Sequence, residues 1–247
     1  MTIPSSYYKT VRRDPAIVSY WRLNDIESST RALDWANKYT LNGIYNNNHS
    51  SRSALINNDT TAGSKLFGVE HQNVEIPDAV PLRITENITI EMWVVSFSEK
   101  QTCALFNKMN TAYTFPEPYY FGLKEGKPYF SVGNGTTEKS ISSEKILPLT
   151  VPVYLCAMIF RDTMTIIENT TQIATGLVGS QVVEDGEKPV YIGALGNNTK
   201  VFNGLLSEVA LYSNSISSVR SLNHFNLGRQ ILFEPARFKT FDPPSFS

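Results

Sequence analysis

Cysteine is scarce. The 247 residues contain two, Cys103 and Cys156, which excludes a fold stapled by a disulfide framework. Both lie in apolar strand-like runs, Cys103-Ala-Leu-Phe106 and Tyr154-Leu-Cys-Ala-Met158, and read as buried free thiols. Net charge is scarce too: 22 Lys and Arg meet 23 Asp and Glu, a formal charge of −1. The one basic cluster, Lys9, Arg12 and Arg13, falls short of the stripe with which nucleic-acid binders hold phosphates. No apolar run approaches the ~20 residues of a membrane-spanning helix. Met1-Thr-Ile-Pro-Ser-Ser6 has neither the basic nor the apolar part of a secretory signal, so synthesis in a cytosol is expected.

The groups that make and break bonds are also missing as patterns. There is no G-x-S-x-G. His49, His71 and His224 are far apart and form no H-x-x-x-H pair. Gly133-Asn-Gly135 lacks the third glycine of a dinucleotide loop, and Pro128 stands where Gly126-Lys127 would need Ser or Thr to hold phosphate. Glycoside hydrolysis needs two carboxylates flanking one bond. The densest acid cluster, Glu184-Asp-Gly-Glu187, reads as a turn, and Glu91 and Glu208 have no acid two or four positions away on their strands. A glycan-cleaving enzyme is therefore weighed and set aside; no enzymatic activity is expected.

What is present is strand pattern. Hydrophobic residues make up 41% of the chain, enough for a large core. In Asn87–Phe97, Ile88, Ile90, Met92 and Val94 share one parity and Thr89, Glu91, Trp93 and Val95 the other. A β-strand points alternate side chains to opposite faces, so this segment reads as a central strand, one face wholly apolar and the other mixed, with Trp93 packed under a loop. Further strands are expected at Ala16–Leu23, Ser53–Ile56, Lys65–Val69 and Asn73–Ile76. Others are expected at Tyr119–Leu123, Pro128–Val132, Val153–Arg161, Met164–Glu168, Gln172–Gly176, Val190–Gly193 and Gly204–Tyr212. Lys124-Glu-Gly-Lys127 is a hairpin turn with Gly126 at positive φ. Short helices are expected at Ser5–Arg13 and Ser215–Asn226, the second with Val219, Leu222 and Phe225 as its apolar stripe and Gly228 as its stop. Many short strands with closely spaced turns indicate an antiparallel sandwich or barrel. The expected organisation is an N-terminal segment 1–15, a sandwich 16–228, and an extended aromatic and proline-rich C-terminal arm 229–247.

Four segments in order resemble the laminin-G-like, concanavalin A-like jelly-roll domains. They are Ser19-Tyr-Trp-Arg-Leu-Asn24, the loop from Leu33 to Tyr45, Thr89-Ile-Glu-Met-Trp-Val94, and Phe202-Asn-Gly-Leu-Leu-Ser-Glu-Val-Ala-Leu-Tyr212 preceded by Tyr191-Ile-Gly-Ala194. The resemblance implies an all-β, two-sheet antiparallel sandwich. In that family calcium is often held by the loop aspartate and by acids of the last strand. Here Asp34 and Glu208 remain, but Asn203 and Ser207 replace two acids and Lys38 adds a cation. Calcium prefers several carboxylates among 6–8 oxygens, so no metal or other cofactor is expected.

Tyr8 to Leu23, ending Asp14-Pro-Ala-Ile-Val-Ser-Tyr-Trp-Arg-Leu, also resembles the start of such domains in bacteriophage tail and other virion proteins. The implied function is a non-enzymatic structural or decoration protein of a phage particle, on capsid or tail, and the chain's length suggests a stand-alone component. Its partners would be other virion proteins, met through the N-terminal segment and the arm; the oligomeric state stays open. The alternative is a carbohydrate-binding module attaching to surface glycans. Candidate binding residues are the aromatics Trp35, Tyr39, Tyr45, Tyr119 and Tyr120, which suit stacking on sugar rings or anchoring a protein interface; Tyr113 belongs with them.

Overall fold

Alternating sequence broken by tight turns yields, among the described residues, sixteen strands and two α-helices. The structure is a computed structural model that describes residues 6–47, 49–57, 59–68, 72–108, 118–133, 136–179, 187–196 and 198–229. In order the elements are α1 (Ser6–Arg12), β1 (Ile17–Trp21), β2 (Arg31–Ala32), β3 (Gly43–Asn46), β4 (Ser51–Arg52), β5 (Ser64–Phe67) and β6 (Asn73–Ile76). Then come β7 (Ile88–Ser96), β8 (Cys103–Lys108), β9 (Tyr119–Lys124), β10 (Lys127–Gly133), β11 (Glu138–Ser142) and β12 (Val153–Phe160). The last are β13 (Thr163–Glu168), β14 (Thr171–Leu177), β15 (Val190–Ile192), β16 (Gly204–Tyr212) and α2 (Ser218–Arg229).

The strands form two eight-stranded antiparallel sheets. Sheet A runs β14-β13-β12-β7-β16-β5-β4, with β1 also on β16; sheet B runs β11-β10-β9-β8-β15-β6-β3-β2. The expected two-sheet sandwich is what the chain builds. Ile88, Ile90, Met92 and Val94 of β7 enter the filling between the sheets, against residues such as Phe106, Phe121 and Phe130 of sheet B. Burying each such side chain contributes about 1.5–3 kcal/mol, and this core is the largest source of stability.

The other face of sheet A is covered as well. Tyr7, Tyr8 and Val11 of α1 and Phe225 of α2 pack on Tyr20, Trp93, Tyr154 and Tyr212. Trp93 therefore lies under helix α2 and not under a loop. Its ring stacks on Phe225 at 5.8 Å and 12°, and it packs where Gly228 has no side chain: a Cβ there would overlap Trp93 Cζ2. Gly228 accordingly sits inside α2 and does not end it. The N-terminal segment is also corrected: its described residues pack on their own sheet, where Asp14 accepts the Ala16 N–H at 2.9 Å and pairs with Arg220 of α2.

The face α2 presents to the sheet is the sharpest departure from the sequence reading. Ser221, His224 and Gly228 are buried, whereas Val219 is 73% and Leu222 40% exposed. The cause lies across the interface, where Glu91 of β7 is fully buried. A buried carboxylate demands donors, and it finds them in Tyr154 Oη at 2.5 Å, Tyr212 Oη at 2.6 Å and His224 Nδ1 at 2.9 Å. Burial alone would raise this carboxyl. His224 and the two tyrosines outweigh that and hold it below the ordinary glutamate range.

Strands β2, β3 and β11 form where none was expected; the expected strands match within a few residues, with one exception. Ser53–Ile56 is not a strand; the short β4 lies just before it, at Ser51–Arg52. The hairpin β9–β10 turns on Glu125 (φ 52°) and Gly126 (φ 78°), the two left-handed residues that a two-residue turn of matching twist requires. Residues 230–247 of the arm, His71, Tyr113 and Glu184–Gly186 lie outside the described residues.

Candidate functional site

The five aromatics singled out from sequence do not gather in one place. Tyr119 lies on the inner face of sheet B, fully buried, its ring stacked on Phe106 and its hydroxyl donating to Leu82 O at 2.9 Å. Tyr45 is buried in the same core and donates to Asp25 Oδ2 at 2.9 Å. Both are corrected to core residues, because the alternation of β9 and β3 turns them inward. Trp35 is half-buried, edge-on to Tyr8 and beside the Arg22 guanidinium, so it closes the corner under α1. Tyr39 is 46% exposed, with Lys38 Nζ 5.2 Å from its ring.

Asp34 and Glu208 are both spoken for by protein donors. The Asp34 carboxylate accepts backbone N–H groups from Tyr20 at 3.0 Å, Ala36 at 3.0 Å and Leu41 at 2.9 Å. Glu208 stands in a β-bulge of β16 at φ 54°, which sends Ser207 and Glu208 away from the inner face while Leu206 and Val209 stay in the core. Its carboxylate meets Tyr20 Oη and Arg22 Nη2 at 3.1 Å, and Arg22 also pairs with Asp59 at 2.9 Å. Burial pushes such a carboxyl upward, and the guanidinium and phenol answer it. Among the described residues no three His, Cys, Asp or Glu side chains converge as a metal site would need.

Tyr120 opens onto a cavity. On β9 the inward residues are Tyr119, Phe121 and Leu123, so Tyr120, Gly122 and Lys124 take the outer face of sheet B. Gly122 sits directly opposite Tyr129 of β10. A Cβ at 122 would overlap Cys103 O and come within 2.7 Å of the Tyr120 hydroxyl. The missing side chain lets Tyr120 lie over this point and donate to Cys103 O at 2.8 Å. Tyr129 meets Tyr120 edge-on, centroids 6.0 Å apart at 68°, and donates to Glu138 Oε1 at 2.9 Å. Lys124 Nζ lies 5.6 Å from the Tyr129 ring centre.

These residues, with Thr102 and Lys200, line a cavity of about 320 Å³, within the size range of small-ligand sites. Burial raises the Tyr129 phenol, so it stays protonated and donating across the neutral range. The cleft offers an aromatic corner, one carboxylate acceptor and ammonium donors, a set suited to holding a polyhydroxylated ligand. Glu138 is the one carboxylate among the described lining residues, whereas bond cleavage at a glycosidic linkage calls for two.

Tyr129, Lys124 and Glu138 were missed from sequence, yet a signal for the first two existed. A two-residue turn at 125–126 fixes the pairing 124 with 127 and 122 with 129, which puts Tyr120, Lys124 and Tyr129 on one face by parity.

Known proteins place this geometry in context. Domain 4 of AbnA, a GH43 extracellular arabinanase from Geobacillus stearothermophilus solved with arabinotriose, superposes with TM-score 0.60 at 10% identity, over 86% of this chain and 98% of that one. The binding domain of botulinum neurotoxin DC in complex with SialylT gives 0.60 at 10% identity, over 86% and 51%. A botulinum neurotoxin type C structure, whose cell entry depends on interaction with two ganglioside molecules, gives 0.64 at 11%, over 90% and 53%. The chain thus spans about half the length of the toxin chains, and at these identities the likeness concerns the fold alone. No curated protein sequence matches the chain. The family model for the Concanavalin A-like lectin/glucanases superfamily (Laminin_G_3) matches residues 67–219, which covers β6 through β16 and most of both sheets. The chain belongs to the concanavalin A-like lectin/glucanases superfamily.

Proposed function

We propose that this protein is a non-catalytic glycan-attachment module, with the Tyr120–Tyr129 cleft of sheet B as its binding site. The observation that carries the reading is the convergence of two tyrosine rings, Glu138 and Lys124 on one small cavity. A sugar ring has an apolar C–H face and a rim of hydroxyls, and it matches an aromatic wall flanked by one strong acceptor and cationic donors. The family supports this reading, as do the arabinotriose, SialylT and ganglioside named for its structural neighbours.

The test is a glycan array followed by calorimetry on wild type, Tyr129→Ala and Tyr129→Phe. Removing the ring is expected to weaken binding at least tenfold, about 1.4 kcal/mol. The phenylalanine variant, which keeps the ring and loses the donor to Glu138, should fall between. Unchanged affinity in a folded Tyr129→Ala protein would defeat the assignment of the cleft.

For the setting we propose a phage particle, capsid or tail, on the strength of the Tyr8–Leu23 motif. Because Tyr8, Val11 and Asp14 of that motif are buried against the protein's own sheet, the arm 229–247 is left as the segment to engage neighbouring virion proteins. Deleting 230–247 is expected to abolish incorporation into particles while glycan binding persists; normal incorporation of the shortened chain would count against the virion setting.

A further inference from the structure

Helices α1 and α2 cover only part of the outer face of sheet A. Beyond them the outward side chains of β13, β14 and the far end of β12 stand open beside the first turn of α2, where a cavity of about 530 Å³ lies. Strand register builds its floor: Phe160 pairs with Thr163, Met158 with Thr165, and Ile167 with Gln172. Ser217 and Leu222 form the wall. Leu222 is there because Glu91 draws His224 inward and Tyr154 holds Ser221, which turns the helix's apolar stripe outward.

The lining is unlike that of the Tyr120 cleft. Among the described residues none of its side chains is charged; Arg161 stacks on the Phe160 ring from outside it, 5.2 Å from the centroid. An anionic ligand would give up hydration without finding a counter-charge. A purely apolar chain would strand the hydroxyl of Thr165 and the amide of Gln172, each a costly loss if desolvated without a partner, whereas Thr163 Oγ1 already donates to Asp162. A neutral sugar meets both demands. Its C–H face rests on Met158, Ile167 and Phe160, which is 52% exposed at the rim, and its hydroxyls pair with the threonines and the amide. The volume lies within the range of small-ligand sites.

We infer that this groove is a second binding site, taking a short uncharged oligosaccharide on the face of the sandwich opposite the Tyr120 cleft. The ligand class rests on the proposed function, while the site itself is separate. One chain then holds two glycans at once, one on each outer face, and gains avidity on a surface that displays both.

The experiment labels methionine methyls and follows Met158, which is 6% exposed at the groove floor, by NMR during titration with arabinotriose, cellotriose and maltotriose and with neutral hits from the glycan array. Neutral sugars are expected to shift the Met158 methyl in wild type and in Tyr129→Ala. Their affinity should fall at least tenfold in Thr165→Trp, which fills the groove. It should fall several-fold in Thr165→Val, which keeps the shape and loses one hydroxyl. Four results would overturn the inference: no neutral glycan moves Met158; Tyr129→Ala abolishes the shift; a fluorescent fatty acid takes the groove in place of sugar; or deletion of 230–247 alone moves Met158, which would assign the groove to the chain's own end. Loss of array binding in Tyr129→Ala with no shift at Met158 would leave the Tyr120 cleft standing and the second site refuted. A Met158 shift with a harmless Tyr129→Ala would do the reverse.

Discussion

Replacing His224 by alanine should expose how α2 is held to sheet A. In the native protein Glu91 is fully buried and its two oxygens receive Tyr154, Tyr212 and the imidazole. The substitution leaves the carboxylate with the two phenols and without the imidazole. Removing one partner of a buried pair costs about 3–5 kcal/mol, and the two retained phenol hydrogen bonds place this case near the lower end, about 3 kcal/mol. For a chain of this size each kcal/mol moves Tm by about 2–4 °C, so thermal unfolding at pH 7 should drop by about 6–12 °C. The pH dependence follows from the direction of the Glu91 shift. Its folded carboxyl lies below the ordinary value, so the stabilisation is fully present above the unfolded glutamate pKa and is lost as pH falls through the lower folded one. The gap between His224→Ala and wild type should therefore be widest at neutral pH and shrink in acid. A cycle with Glu91→Gln should return a coupling of at least 1 kcal/mol. A Tm drop under 2 °C at pH 7, or coupling below about 0.5 kcal/mol, would refute the claim that this pair clamps the helix.

Gly122→Ala should destabilise the fold by about 1–3 kcal/mol, because the new methyl meets the Cys103 carbonyl and the Tyr120 hydroxyl. It should also weaken glycan binding, and calorimetry on the variant checks both. Burial pushes the Cys103 thiol up to about 12 and raises Cys156 too. Ellman's reagent should therefore find neither thiol in the native protein and both after denaturation; fast native labelling would contradict their placement. Millimolar calcium should leave Tm unchanged, since the Asp34 and Glu208 carboxylates already hold backbone amides and Arg22. A rise of several degrees would show a site that these donors do not block.

Legibility from sequence followed the range of the forces involved. Alternation along 88–96, the turn at Glu125–Gly126 and the order of the strands are local, because side-chain parity and left-handed turn residues are properties of a few consecutive residues. They make the two-sheet sandwich legible in the sequence itself. The inner face of β7 came out as read for the same reason. The candidate aromatics fared worse because composition does not say which side of a strand becomes interior: parity sent Tyr119 inward and left Tyr120, one residue on, at the cleft.

Sequence by itself determined the long strands, the β9–β10 hairpin and the absence of a paired-acid motif, but not the short strands β2, β3 and β4. Tertiary structure decided the rest. The polar stripe of α2 faces inward because a glutamate more than a hundred residues upstream needs donors once the helix excludes water from it. The Tyr120 cleft exists because a glycine on β9 faces a tyrosine on β10. The groove beside Leu222 stays open because the helices end before the sheet does. Each depends on which residues meet across distance in the chain, where burial removes water and leaves a polar group only the partners the fold supplies.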